Sequence, residues 1–326
     1  MIVRLLRGAA GALVWVIALG CAAWAIGALY FDCAKAAAVA LALVFAGLLI
    51  FLRGHLRKLA ALFAGFVLVL AWWLTLQPSN DRPWQPDVAQ TAWAEVKGDE
   101  VTLHNVRNCD YRTEMDYTAH WETRPVHLSQ LTGIDLAVNY WGSPYMAHPI
   151  ASFQFADAPP VCFSIETRKE IGESYSAIRG FFRQFELIYI VADERDVIRV
   201  RTNFRKGEDV YLYRTTATPE QTRTRFLEYL AALNTLRDHP RWYNAATTNC
   251  TTSIRTQHDA AQRAPWDWRI LVNGKGDEMM FERGSLATGN VSFAELKKRA
   301  LINAAAQAAN DAPDFSRRIR ADWPGF

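Results

Sequence analysis

The sequence predicts an α+β protein, with three membrane-spanning helices followed by a domain built on a mainly antiparallel sheet. Three observations predict it. The first quarter of the chain is three apolar runs in series, alternating segments bounded by turn residues follow, and helical stretches with recognisable caps come after them.

The apolar runs extend from Gly8 to Tyr30, Ala36 to Leu52 and Leu59 to Leu76. Each is close to the roughly 20 residues that a helix needs to cross the hydrocarbon core. A cleaved signal peptide carries one apolar region of about 7–15 residues and a small-residue cleavage site, which does not account for three runs. Arg4 and Arg7 precede the first run, and Arg53, His55, Arg57 and Lys58 lie between the second and third. The loop from Phe31 to Lys35 holds one acid and one lysine. The positive-inside rule then puts the N-terminus and second loop in the cytoplasm and everything after Leu76 in the periplasm of a bacterial inner membrane. The formal net charge is +3, and no basic run interleaved with aromatics occurs, so nucleic acid is not an expected partner.

After the polar, proline-broken exit "LQPSNDRPWQPD", with Trp84 as an interfacial residue, strand patterns begin. They are Gly98 to Asn108, Gly133 to Gly142, "HPIASFQFA" and "VCFSIETR". "HPIASFQFA" puts His148, Ile150, Ser152 and Gln154 on one face and Ala151, Phe153 and Phe155 on the other. The intervening "DAPP" is a turn signal that predicts a hairpin. "GESYSAIRGFFRQFE" is spaced as a helix, while "LIYIVA", "VIRVRTNF" and "DVYLYRTT" read as further strands. Thr218, Pro219 and Gln221 give an N-cap, a first-turn proline and a capping-box partner for a helix to about Leu236. A second helix starts near Cys250 and runs through "TSIRTQHDAAQR", and the tail is polar and helical. The expected division is residues 1–77 as membrane anchor, 78–290 as periplasmic domain and 291–326 as helical tail.

Cys250 is the residue that most suggests chemistry. "TTNCTT" places it where a polar loop becomes a helix. A thiol there faces unpaired N–H groups and the positive end of the helix dipole, which favour thiolate and can hold an oxyanion. Of the five cysteines, Cys109 and Cys162 also fall in the periplasmic part, where a disulfide is chemically allowed; spacing does not establish one. A cysteine nucleophile needs a base with an orienting partner. His148, at the head of the best-alternating strand, and Glu166, on its hairpin partner, are the candidates. Trp141, Tyr145, Arg168 and Asn249 are the expected substrate contacts, with Phe181 and Phe182 as further apolar lining. No His-Glu-x-x-His or paired Cys-x-x-Cys motif occurs, so neither a metal nor another cofactor is expected.

The blocks "PSNDRPW", "HNVRN-DYR", "YWG---AH-I-SF-F", "FSIETRKE-GE-YSA--GFF-Q-ELIY--ADERDV", "EDVYLYR" and "NCTT" occur in this order. They make the chain resemble the Lnb N-terminal periplasmic domain family from about Gln77 to Gly284. The resemblance implies a circularly permuted papain-like fold of the NlpC/P60 type, with His148 and Cys250 at the family's strand-histidine and cysteine positions. It also implies an acyltransferase that moves an acyl chain from a lipoprotein's diacylglyceryl group to its N-terminal amine through a cysteine thioester. The expected partner is a lipid-modified protein or phospholipid at the outer leaflet. A cell-wall peptide amidase or peptidase using the same pair, or a non-catalytic envelope binding module, are the alternatives.

Overall fold

The structure, a computed structural model, describes residues 2–258, 263, 265–270 and 273–321, with side chains from Gly8 onward. It divides into two units: residues 1–79, 175–186 and 242–245 form one, and the remainder forms the other.

In the first unit, α1 (Ile2–Asp32), α2 (Lys35–Phe51) and α3 (His55–Thr75) are the expected apolar helices. Two of them, Gly8–Asp32 of α1 and His55–Thr75, are long and apolar enough to cross a membrane, not three. The 17 residues of α2 reach about 25 Å at 1.5 Å each, the short end of what crosses a hydrocarbon core of about 30 Å. Ala22, Phe45 and Leu62 pack together where the helices meet. Most other apolar side chains, Val16, Leu43, Phe51 and Leu68 among them, stay exposed. A helix at the core of a soluble protein would bury these residues.

The second unit is built on an eight-stranded sheet. Its strands are β1 (Trp93–Lys97), β2 (Glu100–Arg107), β5 (Trp121–His127), β6 (Leu131–Trp141), β7 (Ala147–Phe155), β8 (Val161–Arg168), β9 (Glu186–Ala192) and β10 (Glu208–Arg214). β3 (Asp110–Tyr111) and β4 (Tyr117–Thr118) form a separate small ribbon. The order is β1-β2-β9-β8-β7-β6-β10, with β5 also on β2. The pairing is mostly antiparallel, while β2 meets β9 in parallel through Arg107 and Ala192. The predicted hairpin is β7–β8, and "VCFSIETR" is β8 from end to end.

Two readings of local pattern change. "GESYSAIRGFFRQFE" forms only a single 3₁₀ turn, Arg179–Phe181; of its apolar residues Phe182 packs on α1 and α3, while Tyr175, Ile178 and Phe181 stay exposed. "VIRVRTNF" alternates like a strand but folds as α4 (Glu194–Val197) followed by a π-helical turn, Val200–Phe204. Tertiary contacts override the alternation here. Asp196 receives the buried Arg107 guanidinium and the Cys109 N–H, and Arg201 reaches Glu166.

Strand alternation gives the sheet two faces. On the first, Ala137, Ile150, Cys162, Ile188, Ile190, Val210 and Leu212 pack under Val197 and Ile198. Helices of the C-terminal part complete this layer: Ile302 and Ala306 at α9 (Asn303–Ala308), and Phe315 and Ile319 at α10 (Phe315–Arg318). Arg320 then enters the same layer and binds both Asp135 and Glu194, its Nη2 lying 2.8 and 2.5 Å from their carboxylates. On the second face, Phe153 and Phe163 meet Phe226 and Tyr229 of α5 (Pro219–Asp238), with ring centroids 5.1 to 5.7 Å apart. The Thr218–Gln221 capping box opens α5 as expected. Also on this face lie α6 (Cys250–Gln257), α7 (Gly276–Glu282) and α8 (Phe293–Ala300). Residues 259–262, onto which the second predicted helix would continue, lie outside the described residues.

Candidate functional site

Cys250 is the first residue of α6. The Asn249 side chain accepts from the Thr252 N–H at 2.9 Å, and the Asn249 N–H donates to Thr252 Oγ1 at 2.9 Å. Asn249, expected to touch substrate, is therefore the helix cap. Its reciprocal bonds satisfy two backbone donors and fix the angle at which Cys250 enters the helix. Among the described residues, the side chains within hydrogen-bonding distance of the thiol are Thr251, at 3.8 Å, and Asn273, whose Nδ2 donates at 3.7 Å. Burial raises the Cys250 thiol above its usual value, and the bonds from Thr251 and Asn273 offset part of that rise.

Asn273 is held by the Ala147 N–H, which donates to its Oδ1. Next to it, Gly274 donates to the Tyr145 carbonyl and accepts from the Tyr140 hydroxyl. A side chain at Gly274 would lie 2.4 to 2.7 Å from backbone atoms of Pro144, Tyr145 and Met146. Gly274→Ala is thus expected to push this strap off β7, lowering stability by about 1–3 kcal/mol. It should also speed maleimide capture of Cys250, read by intact mass; an unchanged capture rate and melting temperature would contradict the contact. Tyr145 contributes this backbone contact while its ring is exposed.

Thr251, Ile254, Arg255 and His258 recur at helical spacing along α6 and line a cavity of about 760 Å³. Its floor is the second face of the sheet, Leu136, Val138, Pro149, Ala151 and Phe153, and its far wall includes Ile270, Met279 and Met280. Asn273 also borders it. The volume falls within the range of small-molecule sites, and the lining is mostly apolar. His258, omitted from the predicted site, is a polar group in this wall: its Nδ1 lies 2.7 Å from Glu228. Burial lowers its pKa, against the pull of Glu228. Its position eight residues after Cys250 was visible, but the link to Glu228 joins two helices and is not legible in spacing.

The predicted Cys250–His148–Glu166 triad does not assemble. His148 pairs with Asn139 across β6 and β7, and Ile150 pairs with Ser164 across β7 and β8, so His148, Ser164 and Glu166 share the first face. Cys250 packs with α6 over the second. The histidine and glutamate do belong together: His148 Nε2 is 2.7 Å from Ser164 Oγ, which donates to Glu166 at 2.6 Å. Arg201 donates to the same carboxylate oxygen at 2.8 Å. Burial, reinforced by Arg201, lowers the His148 pKa from 6.5 to about 4. The Glu166 carboxyl is held well below its usual range: burial opposes ionisation, and Arg201 and His148 outweigh it. This is a part-buried polar relay on the first face, with the His148 and Glu166 side chains 13% and 18% exposed.

Two other expected substrate contacts have structural roles. Arg168 is buried; its guanidinium donates to the Val88 and Ala89 carbonyls and Asn80 and stacks over Trp84 at 4.3 Å. Trp141 ends β6 opposite Glu208, outside the cavity lining. Phe182 is buried beside α1 in the first unit.

Residues 117–274 match the family model of the Lnb N-terminal periplasmic domain. No curated protein and no solved structure matches the chain. The matched stretch runs from β4 to the strap beside Cys250 and includes the sheet strands β5 to β10. Together with the apolar helices ahead of it, the match fits a membrane-anchored protein with a periplasmic domain. Over residues 117–274 the chain is therefore similar to the Lnb N-terminal periplasmic domain family.

Proposed function

We propose that the domain binds the acyl chain of a lipid or lipid-modified protein in the cavity on the second face, and that Cys250 accepts the acyl group. The observation that carries this reading is the apolar cavity bordered by Thr251 and Asn273, the two residues that contact the thiol. A cell-wall peptide would need a polar groove; here the floor of Leu136, Val138, Pro149, Ala151 and Phe153 is apolar, and polar side chains such as Glu220, Gln221, Arg225 and Arg255 come from α5 and α6.

In the reaction, Cys250 sulfur attacks an ester carbonyl. The S–C bond forms as the C–O bond to the glycerol breaks, and the thiol proton leaves with the alcohol. Attack by an amine then forms the amide, breaks the C–S bond and returns a proton to sulfur. The Asn273 amide and the α6 N-terminus would stabilise negative charge on sulfur or on the carbonyl oxygen. The anchor is read as crossing the membrane three times with the N-terminus in the cytoplasm. Basic residues before α1 and between α2 and α3 support this, and 17 residues is the lower end of spanning length.

A second reading, acyl-chain binding without chemistry, is favoured by one observation: among the described residues no imidazole lies within hydrogen-bonding distance of Cys250. Intact-mass analysis of the full chain in detergent with a synthetic diacylated lipopeptide separates the two. Acyl transfer predicts an acyl-sized, hydroxylamine-sensitive gain that Cys250→Ala abolishes. Saturable lipopeptide binding without that gain would establish the second reading, and absence of both from folded protein would overturn both.

A further inference from the structure

The segment Tyr175–Glu186 belongs to the same unit as the apolar helices, and its bonds locate it at one end of them. Gln184 donates to the Phe31 carbonyl and to Asp32 at 2.8 Å each, and the Arg183 N–H donates to Asp32. Asp32 also accepts from the Trp73 indole at 2.7 Å. The Arg183 guanidinium donates to the Leu76 carbonyl and lies over the Trp73 ring. One carboxylate therefore ties together the end of α1, the end of α3 and this segment. Phe182 reaches further in: its ring stacks on Phe31 and Trp24 and touches Gly27, where a side chain would lie 2.7 Å from it. Gly27 is five residues from the end of α1, about 7 Å along the axis. That matches the roughly 5–10 Å to which interfacial segments bury their apolar side chains in a bilayer.

Beside Phe182, three large apolar side chains face outward: Ile178 is 64% exposed, Phe181 47% and Tyr175 46%. Exposed apolar groups in the turn beside Phe182, in a unit whose helix ends carry Tyr30, Phe31, Trp72 and Trp73, have the chemistry of a membrane interface. We infer that Tyr175–Phe181 inserts into the leaflet on the domain side of the bilayer that α1 and α3 cross. Ile178, Phe181 and Tyr175 enter the headgroup–acyl boundary, and Arg179 and Arg183 lie at headgroup level. Its occupant is a phospholipid bilayer, and it holds whether or not Cys250 takes an acyl group.

The test uses the full chain in phospholipid nanodiscs with Cys33, the exposed cysteine, replaced by serine. Ile178→Cys and Phe181→Cys are labelled with the fluorophore NBD, and Met115→Cys, at an 85% exposed site of the other unit, is the aqueous control. Insertion predicts dithionite reduction at positions 178 and 181 roughly tenfold slower than at 115, with strong quenching by nitroxide-bearing lipid. Reduction as fast as at 115 would overturn the inference. Protection without lipid quenching would also overturn it, since that outcome means the segment is covered by protein.

Discussion

Replacing Arg320 by methionine is expected to lower folding stability by about 3–5 kcal/mol, the usual cost of leaving a buried charge without its partner. Asp135 and Glu194 are both 0% exposed, and the Arg320 guanidinium binds both. Arg214 still reaches Asp135, and Ser152 still donates to Glu194; neither replaces the positive charge that Glu194 loses. Thermal denaturation of the full chain should show a fall on the order of 10 °C. Arg317→Met, at a side chain 80% exposed, should shift it little, because surface pairs contribute about 1 kcal/mol or less. Adding Glu194→Gln to Arg320→Met should recover part of the loss. Equal, small shifts for Arg320 and Arg317 would show that the buried pairing is absent.

The second large effect is acid sensitivity. His148 is neutral in the folded domain until about pH 4, whereas in the unfolded chain it titrates near 6.5. Between those values the unfolded chain binds the extra proton, so stability present above pH 6.5 declines as pH falls. The full loss for this group, reached at about pH 4, is about 3 kcal/mol. Glu166, with its pKa depressed, acts in the same direction at lower pH: its contribution is present above the usual carboxylate range and is lost on acidification. The groups acting on His148 are Arg201, Arg205 and Glu166. His148→Asn should therefore flatten the pH dependence of urea denaturation between 6.5 and 4 while leaving the Glu166 limb. An unchanged slope would mean that His148 is not the group responsible. Because His148 lies on the first face, the same variant should keep whatever acyl loading at Cys250 the proposed transfer produces; loss of that loading in folded protein would restore the histidine–cysteine pair.

What could be read from sequence tracks what is local. β8 and the Thr218 capping box were legible because each depends on neighbours within a few residues. Even the alternation of β7, with His148 and Ile150 on one side and Ala151 and Phe153 on the other, was correct. The side of the sheet on which α6 would settle is a long-range property, and no spacing encodes it. The candidate dyad failed on that parity alone, although Cys250 at a helix start was placed correctly. β1 was missed because five residues, Trp93–Lys97, give too short a pattern to separate from the exit segment. "VIRVRTNF" misled for the opposite reason: its arginines alternate like a wet strand face, yet Arg201 is buried and donates to Glu166 and the Val197 carbonyl.

The Arg320 contact also bears on the order of folding. Asp135 meets it across 185 residues, so β6 and α4, which carry the two carboxylates, are synthesised long before their shared cation. Until then Asp135 has only Arg214 for a cation, and Glu194 in the sheet's first layer has none of the charge that Arg320 brings. Contacts this far apart close slowly, which leaves the nascent domain a window as a substrate for chaperones and proteases that the finished domain is not.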